Sequence, residues 1–290
     1  ALTCLLETGR STDILTVDNL ARRLGQYRLV VVPEQTRLAA DVVDRLSAWV
    51  AAGGCLLLSG AHLSADYPSL VGCVPSGAAT ERSVELPVAN EAVQISGLWQ
   101  AVTVDGDTDA WLCGLRNLEP GMPRDGDCLV TCRRLGSGRV LAVHGPLFRN
   151  YACLQTPRLR RFVGALVDRL PVPWTVCLDG TPRVELVARR KGAALLLNLI
   201  NRGAGETLSP TRTMIEDLPP EPNVTLRIRL DQPPTAVRLL PADEALPWSH
   251  ADGMLTSRVG TVRVHDIVAV TPGTAPGNQA TGAYSSFHGS

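Results

Sequence analysis

Two continuous apolar runs bracket one amphipathic segment, and this arrangement constrains the fold more than any other feature of the chain. Residues 27–60 read YRLVVVPEQTRLAADVVDRLSAWVAAGGCLLLSG. Leu29, Val30, Val31 and Val32 show no polar alternation, so they predict a strand covered on both faces. Leu38, Val42, Leu46, Trp49 and Val50 recur at helical spacing and predict a helix with one buried side, opening near Thr36 or Asp41. Gly53 ends that helix, and residues 55–58 give the next strand. Strand, helix and strand in this order form a βαβ unit, which requires parallel strands and a right-handed crossover. The predicted class is therefore α/β.

The same alternation extends on either side. Residues 1–9, ALTCLLETG, predict the end of a helix with Gly9 just past it. A parallel sheet normally opens with a strand before such a helix, so the expectation is a domain truncated at its N-terminus. Residues 13–15 predict a short strand, and Asp18 caps a brief helix through Leu24. Residues 83–104 switch to two-residue alternation and predict short strands. Residues 129–132 and 139–143 predict a hairpin around Leu135-Gly136-Ser137-Gly138. Residues 157–170 predict a last amphipathic helix, which Pro171 and Pro173 stop. Beyond it the helical period vanishes. RVELVARR, AALLLNLINR, VTLRIRL, TAVRLLP, MLTSRV and TVRVHDIVAV predict an antiparallel β-sandwich. The expected organisation is an α/β domain over residues 1–172, a sandwich over 173–271, and a polar, Gly-rich, disordered tail over 272–290.

Composition narrows the partners. The 28 basic and 28 acidic residues cancel, so neither a nucleic acid nor a lipid surface is invited. Lys191 is the one lysine, so arginine carries nearly all positive charge, a bias of GC-rich bacterial genomes. The eight cysteines include no C-x-x-C pair and no accompanying histidine cluster, so neither zinc nor any other cofactor is expected. Several lie in apolar runs and read as buried thiols, which suits the bacterial cytoplasm; a secreted location is the alternative. Asp105, Asp107 and Asp109 alternate as calcium ligands do. They lack the rest of a calcium loop and read as a solvated turn.

Three stretches in fixed order carry a resemblance: YRLVVVPE…WVAAGGCLLLSG, GSGRVLAVHGPLFRNY, and RVELVARRKGAALLLNLINRG…VHDIVAV. Together they resemble the C-terminal half of bacterial glycoside hydrolases of the β-galactosidase (family 42-like) or α-L-fucosidase-like type. The resemblance implies a flavodoxin-like, class I glutamine-amidotransferase-like trimerisation domain followed by a C-terminal β-sandwich. It also implies a homo-oligomer, a trimer, and catalytic carboxylates on an upstream TIM barrel. A barrel needs about 250 residues, which these two domains leave no room for.

Ligands of α/β sheets gather at the carboxyl ends of strands. Ser59 closes its strand there, in Leu57-Leu58-Ser59-Gly60-Ala61, without the outer glycines of a nucleophile elbow. His144 is the candidate base, but Gly145-Pro146 follows it and no glutamate stands two residues on. A serine without an oriented base is a poor nucleophile. The expectation is a kept scaffold with no catalytic residue, Ser59 and His144 being the candidates for the opposite case. Arg149, Asn150 and Tyr151 are expected in a loop, where they either pack locally or meet a neighbouring subunit or the rim of the barrel's substrate site. His62 reads as a loop hydrogen-bonding residue, and His265-Asp266 as part of a strand. Trp99, Trp111, Trp174 and Trp248 lack the spacing of a sugar-stacking platform. Three functions follow: a non-catalytic accessory region of a glycoside hydrolase, a hydrolase or amidotransferase-like enzyme using Ser59 and His144, or a carbohydrate-binding module.

Overall fold

The computed structural model describes residues 1–34, 37–88, 91–113, 126–203 and 217–273. Thr36 and nearly all of the predicted tail lie outside these residues. The chain divides into two units, Ala1–Pro173 and Trp174–Ser290.

The first unit opens with α1 (Leu2–Glu7) and α2 (Val17–Arg23). The strand predicted for residues 13–15 does not form, and Ile14 is 75% exposed. A strand needs a neighbour for its backbone groups, and none pairs with this segment among the described residues. Asp13 is held by side chains instead: it accepts from the Tyr27 hydroxyl at 2.8 Å and lies 3.5 Å from Arg23. Thr16, not Asp18, caps α2 by accepting from the Asn19 amide.

The βαβ unit follows as β1 (Leu29–Val32), α3 (Ala40–Ala51) and β2 (Cys55–Ser59). The strands are parallel, with Leu29 opposite Cys55 and Val32 opposite Leu58. Two short helices, α4 (Leu63–Asp66) and α5 (Pro68–Val71), lead to β3 (Cys73–Pro75), β4 (Thr80–Val88), β5 (Glu91–Trp99), β6 (Val102–Val104) and β7 (Thr108–Cys113). Then come β8 (Cys128–Leu135), β9 (Gly138–Val143), α6 (Leu147–Leu154) and α7 (Pro157–Arg169). The main sheet has the order β1-β2-β9-β8-β7. It is parallel from β1 to β9 and antiparallel from β9 to β7, so the expected parallel sheet is a mixed one. The hairpin around Gly136 forces this reversal, because a short turn joins only antiparallel strands.

One face of the sheet presents Leu56, Leu58, Val140 and Ala142 to Val42, Leu46 and Val50 of α3. These side chains are at most 5% exposed. Each of the leucines and valines stabilises the unit by roughly 1.5–3 kcal/mol relative to exposure, and Ala142 by less than about 1 kcal/mol. The β8–β9 turn locks onto the end of α3. Ser137 N donates to Ala51 O at 3.0 Å, and Arg139 N to Gly54 O at 3.2 Å. A Cβ on Gly138 would lie 2.1 Å from Val50 O and 2.2 Å from Gly54 O, so only glycine permits this approach.

The regular elements among the described residues of the second unit are all strands: β10 (Val176–Asp179), β11 (Val184–Lys191), β12 (Ala194–Asn201), β13 (Glu221–Arg229), β14 (Pro234–Leu240), β15 (Glu244–Ala245), β16 (Trp248–Ala251), β17 (Met254–Val262) and β18 (His265–Pro272). Two antiparallel sheets, β10-β13-β17-β16 and β11-β12-β18-β14-β15, enclose one core. Leu178, Leu226, Ile228 and Leu255 enter it from the first; Leu186, Leu197, Leu199 and Val268 enter from the second. The run TVRVHDIVAV is not one strand but the junction of β17 and β18, and Val264 at the turn is 63% exposed.

Gly138→Ala is expected to destabilise the protein by at least about 2 kcal/mol, since the obstructing atoms are backbone. Gly192→Ala, at φ +59° in open space, should cost only about 1 kcal/mol from backbone strain. Urea unfolding of both variants checks the contrast, and equal costs would contradict the packing described at Gly138.

Candidate functional site

Three strands end side by side at one edge of the main sheet, and each delivers a polar residue there: Glu34 just after β1, Ser59 closing β2, and His144 just after β9. This is the edge where open α/β sheets place ligands.

Register decides what the three can do together. Ser59 lies directly opposite Val143, so these two side chains share a face. His144 is the next residue, and its amide continues the ladder by donating to Leu129 O at 2.9 Å. Successive side chains of a strand alternate, so His144 points to the opposite face from Ser59. Its contacts agree: Nε2 lies 3.1 Å from Thr131 Oγ1 and 3.6 Å from Cys73 Sγ. Thr131 is itself paired with Ala142, on the α3 side. The structure does not bring Ser59 and His144 together.

His144 is wholly buried, and Nδ1 has no hydrogen-bond partner. Burial disfavours the imidazolium and lowers its pKa from 6.5 to about 4. Cys73 beside it is held as a thiol, its pKa raised to about 12 chiefly by burial. A neutral imidazole bonded to a threonine on one side and orphaned on the other stands as a packing element, and no carboxylate orients it.

Ser59 has a different partner. Its Oγ accepts from Glu34 N at 3.3 Å, and its hydroxyl helps lower the pKa of the Glu34 carboxyl. The carboxylate in turn accepts from the amides of Phe148 at 2.7 Å and Arg149 at 3.3 Å. These are amides of the first turn of α6, which has no side-chain cap of its own. Glu34 therefore caps α6 from another element, satisfying donors a helix leaves orphaned and complementing its dipole. Burial pushes the Glu34 carboxyl above the usual glutamate range, while the two amides and Ser59 pull it back. Sequence reasoning missed Glu34. The rule that singled out Ser59 at a strand's end applies equally to Glu34, two residues beyond β1.

Arg149, Asn150 and Tyr151 lie in α6, not in a loop. The Glu34 cap supplies the reason, because it completes the first turn that Pro146 cannot cap. Arg149 presents its side chain to solvent. Asn150 is buried and clasps the backbone of β5: Oδ1 accepts from Ser96 N at 3.1 Å, and Nδ2 donates to Ser96 O at 2.7 Å. Tyr151 is buried and donates to Glu7 Oε2, which also receives Arg160 Nη1 at 3.0 Å. Burial, then the bond to Glu7, raises the Tyr151 pKa.

The remaining candidates are engaged locally. His62 stacks edge-on to Tyr67 at 5.9 Å and fills the space a Gly60 side chain would need. His265 Nε2 lies 3.1 Å from Asn198 Oδ1. Trp99 is fully buried and donates to Ile95 O, while Arg169 stacks on Trp111 at 5.0 Å. Asp105 and Asp107 bound the turn before β7, and Asp109 lies within β7. Among the described residues no group of three His, Cys, Asp or Glu side chains is placed to hold a metal, and no helix is long and apolar enough to cross a membrane.

No family profile and no curated protein matches the chain. Solved structures do. The α-L-fucosidase isoenzyme 2 from Paenibacillus thiaminolyticus superposes with a TM-score of 0.73 at 18% identity, over 94% of this chain and 44% of that one. A β-galactosidase from Bacillus circulans sp. alkalophilus superposes with a TM-score of 0.60 at 13% identity, over 92% of this chain and 36% of that one. A β-galactosidase from Rahnella sp. R3 gives 0.51 at 18% identity, over 88% and 36%. The chain thus has the fold of one region of these glycoside hydrolases and spans less than half of their length.

The buried His144 makes a stability prediction. Its folded pKa is below its unfolded one, so its contribution is complete above about pH 6.5 and is lost as pH falls toward 4. A fully expressed shift is worth about 3 kcal/mol. His144→Gln should lower stability at pH 7.5 but flatten the fall between pH 6.5 and 4. Urea unfolding across that range checks it, and parallel pH profiles for parent and variant would contradict it.

Proposed function

We propose that the chain is a non-catalytic accessory region of a carbohydrate-active glycoside hydrolase. In this reading the first unit is a flavodoxin-like, amidotransferase-related domain of the trimerisation type, and the second is the enzyme's β-sandwich. The catalytic carboxylates sit on a TIM barrel elsewhere in the parent polypeptide. The observation that carries the reading is one-sided coverage: 94% of this chain superposes on the fucosidase but only 44% of the fucosidase on this chain. Both units are used up in that match.

The site supports the same reading. Glycosidases need two carboxylates about 5 to 9.5 Å apart across a sugar. The acidic residue at the strand-end edge is Glu34, and it is committed to the α6 amides. Ser59 has Glu34 as its partner, and the register places His144 on the opposite face. The chain's contribution is to organise domains and subunits, with Arg149 exposed on α6 for a contact with a neighbouring subunit or the barrel rim. Buried thiols such as Cys4, Cys55 and Cys73 suit a reducing compartment.

The test uses this chain alone. Aryl α-L-fucosides and aryl β-D-galactosides are expected to be hydrolysed no faster than in buffer, whereas saturable turnover would overturn the non-catalytic reading. Light scattering tests the trimer part separately. It should return about three times the 31.0 kDa chain mass, and a monomer at high concentration would remove it.

A further inference from the structure

We propose that Cys113 and Cys128 are a redox-responsive modification site, forming a cross-strand disulfide that clips β7 to β8 when a small-molecule disulfide is available as oxidant. The proposal does not depend on the glycoside hydrolase reading.

The placement comes from the ladder. β7 and β8 are antiparallel, and their final pair sets Cys113 directly opposite Cys128. Directly opposed residues in a regular ladder have Cα atoms about 4.5 or 5.5 Å apart. Here the register shifts just before the pair, and the nearness of the two thiols shows in the Cys128 pKa, which burial raises first and the charge of Cys113 next. Disulfides span Cα separations of about 4.4–6.8 Å, so both spacings suffice. No other cysteine faces a cysteine across the described strand pairs: Cys55 faces Leu29 and Arg139, Cys132 faces Asp109 and Leu141, Cys73 faces Val104, and Cys177 faces Arg227.

Access and local stability fit. Cys113 is exposed and Cys128 half-buried, so one thiol meets the oxidant and the other waits behind it. Among the described residues β7 is the edge strand of the main sheet, paired there with β8 alone. Its register is interrupted between Ala110 and Leu112 and again between Leu112 and Cys113. The last pair therefore closes an irregular stretch of ladder, where a covalent tie adds most.

The chemistry balances as thiol–disulfide exchange. The Cys113 thiolate attacks one sulfur of oxidised glutathione, forming a mixed disulfide and expelling one glutathione thiolate. Cys128, once deprotonated, attacks the Cys113 sulfur and expels the second. Two protein thiols are oxidised, one glutathione disulfide is reduced to two thiols, and the two protons pass to them. Burial raises the Cys128 thiol to about 11, so the second step should quicken as pH rises.

The experiment incubates the reduced, folded full chain with oxidised glutathione, quenches with acid and maps peptides by mass spectrometry. The expected product is a Cys113–Cys128 cross-link lacking two hydrogens and carrying no glutathione. It should raise the melting temperature by roughly 5–10 °C, and a reductant should reverse it. Cys153, exposed on α6, is the internal control and should stop at the glutathione adduct. Cys113→Ser, at an exposed position, should fold as the parent does and give no cross-link; Cys128→Ser should leave glutathione on Cys113. A Cys113 adduct as persistent as that on Cys153 would overturn the proposal, and so would a cross-link joining Cys128 to Cys73.

Discussion

The pairing of β2 with β9 fixes what this protein's polar edge can and cannot do. With Ser59 opposite Val143, the next residue along β9 must turn its side chain through the sheet. A shift of one residue would put His144 on the serine's face, and with it every apolar side chain of β9 on the wrong side. Val140 and Ala142 belong to the core beneath α3, so the core forbids that shift. Packing of the scaffold and separation of the two candidate residues are therefore one constraint seen twice.

The space a ligand would take at this edge is already used by the fold. Helix N-termini with free amides bind anions, and α6 starts at the right place for one. Glu34 fills that position with a carboxylate of the same chain, and its own amide donates to Ser59 Oγ. Behind it, Tyr151, Glu7 and Arg160 join α1, α6 and α7, while Asn150 ties α6 to β5. Polar groups that look functional one by one in sequence are spent on joining elements together.

Legibility followed the physics of each element. β2 was readable because burial on both faces leaves a continuous apolar run, and α3 because one-sided burial leaves a helical period; β1 carries the same kind of run but lies half-buried at the end of the sheet, not covered on both faces. The β8–β9 hairpin was readable from its glycines, one of which meets two carbonyls. The strand expected at residues 13–15 failed because a strand exists only with a partner, and local pattern does not reveal partners. The helix through Arg149, Asn150 and Tyr151 was hidden because its cap, Glu34, lies more than 100 residues upstream. At the site, Ser59 and His144 could be placed at strand ends from sequence, but their faces depend on register, which only the paired structure shows.

The claim that the serine is unactivated is tested most directly by active-site labelling. The folded chain treated with a fluorophosphonate at neutral pH should carry no adduct on Ser59, because its Oγ is engaged by Glu34 and His144 lies on the opposite face of the sheet. Stoichiometric labelling of Ser59, abolished in Ser59→Ala and in His144→Ala, would contradict the account.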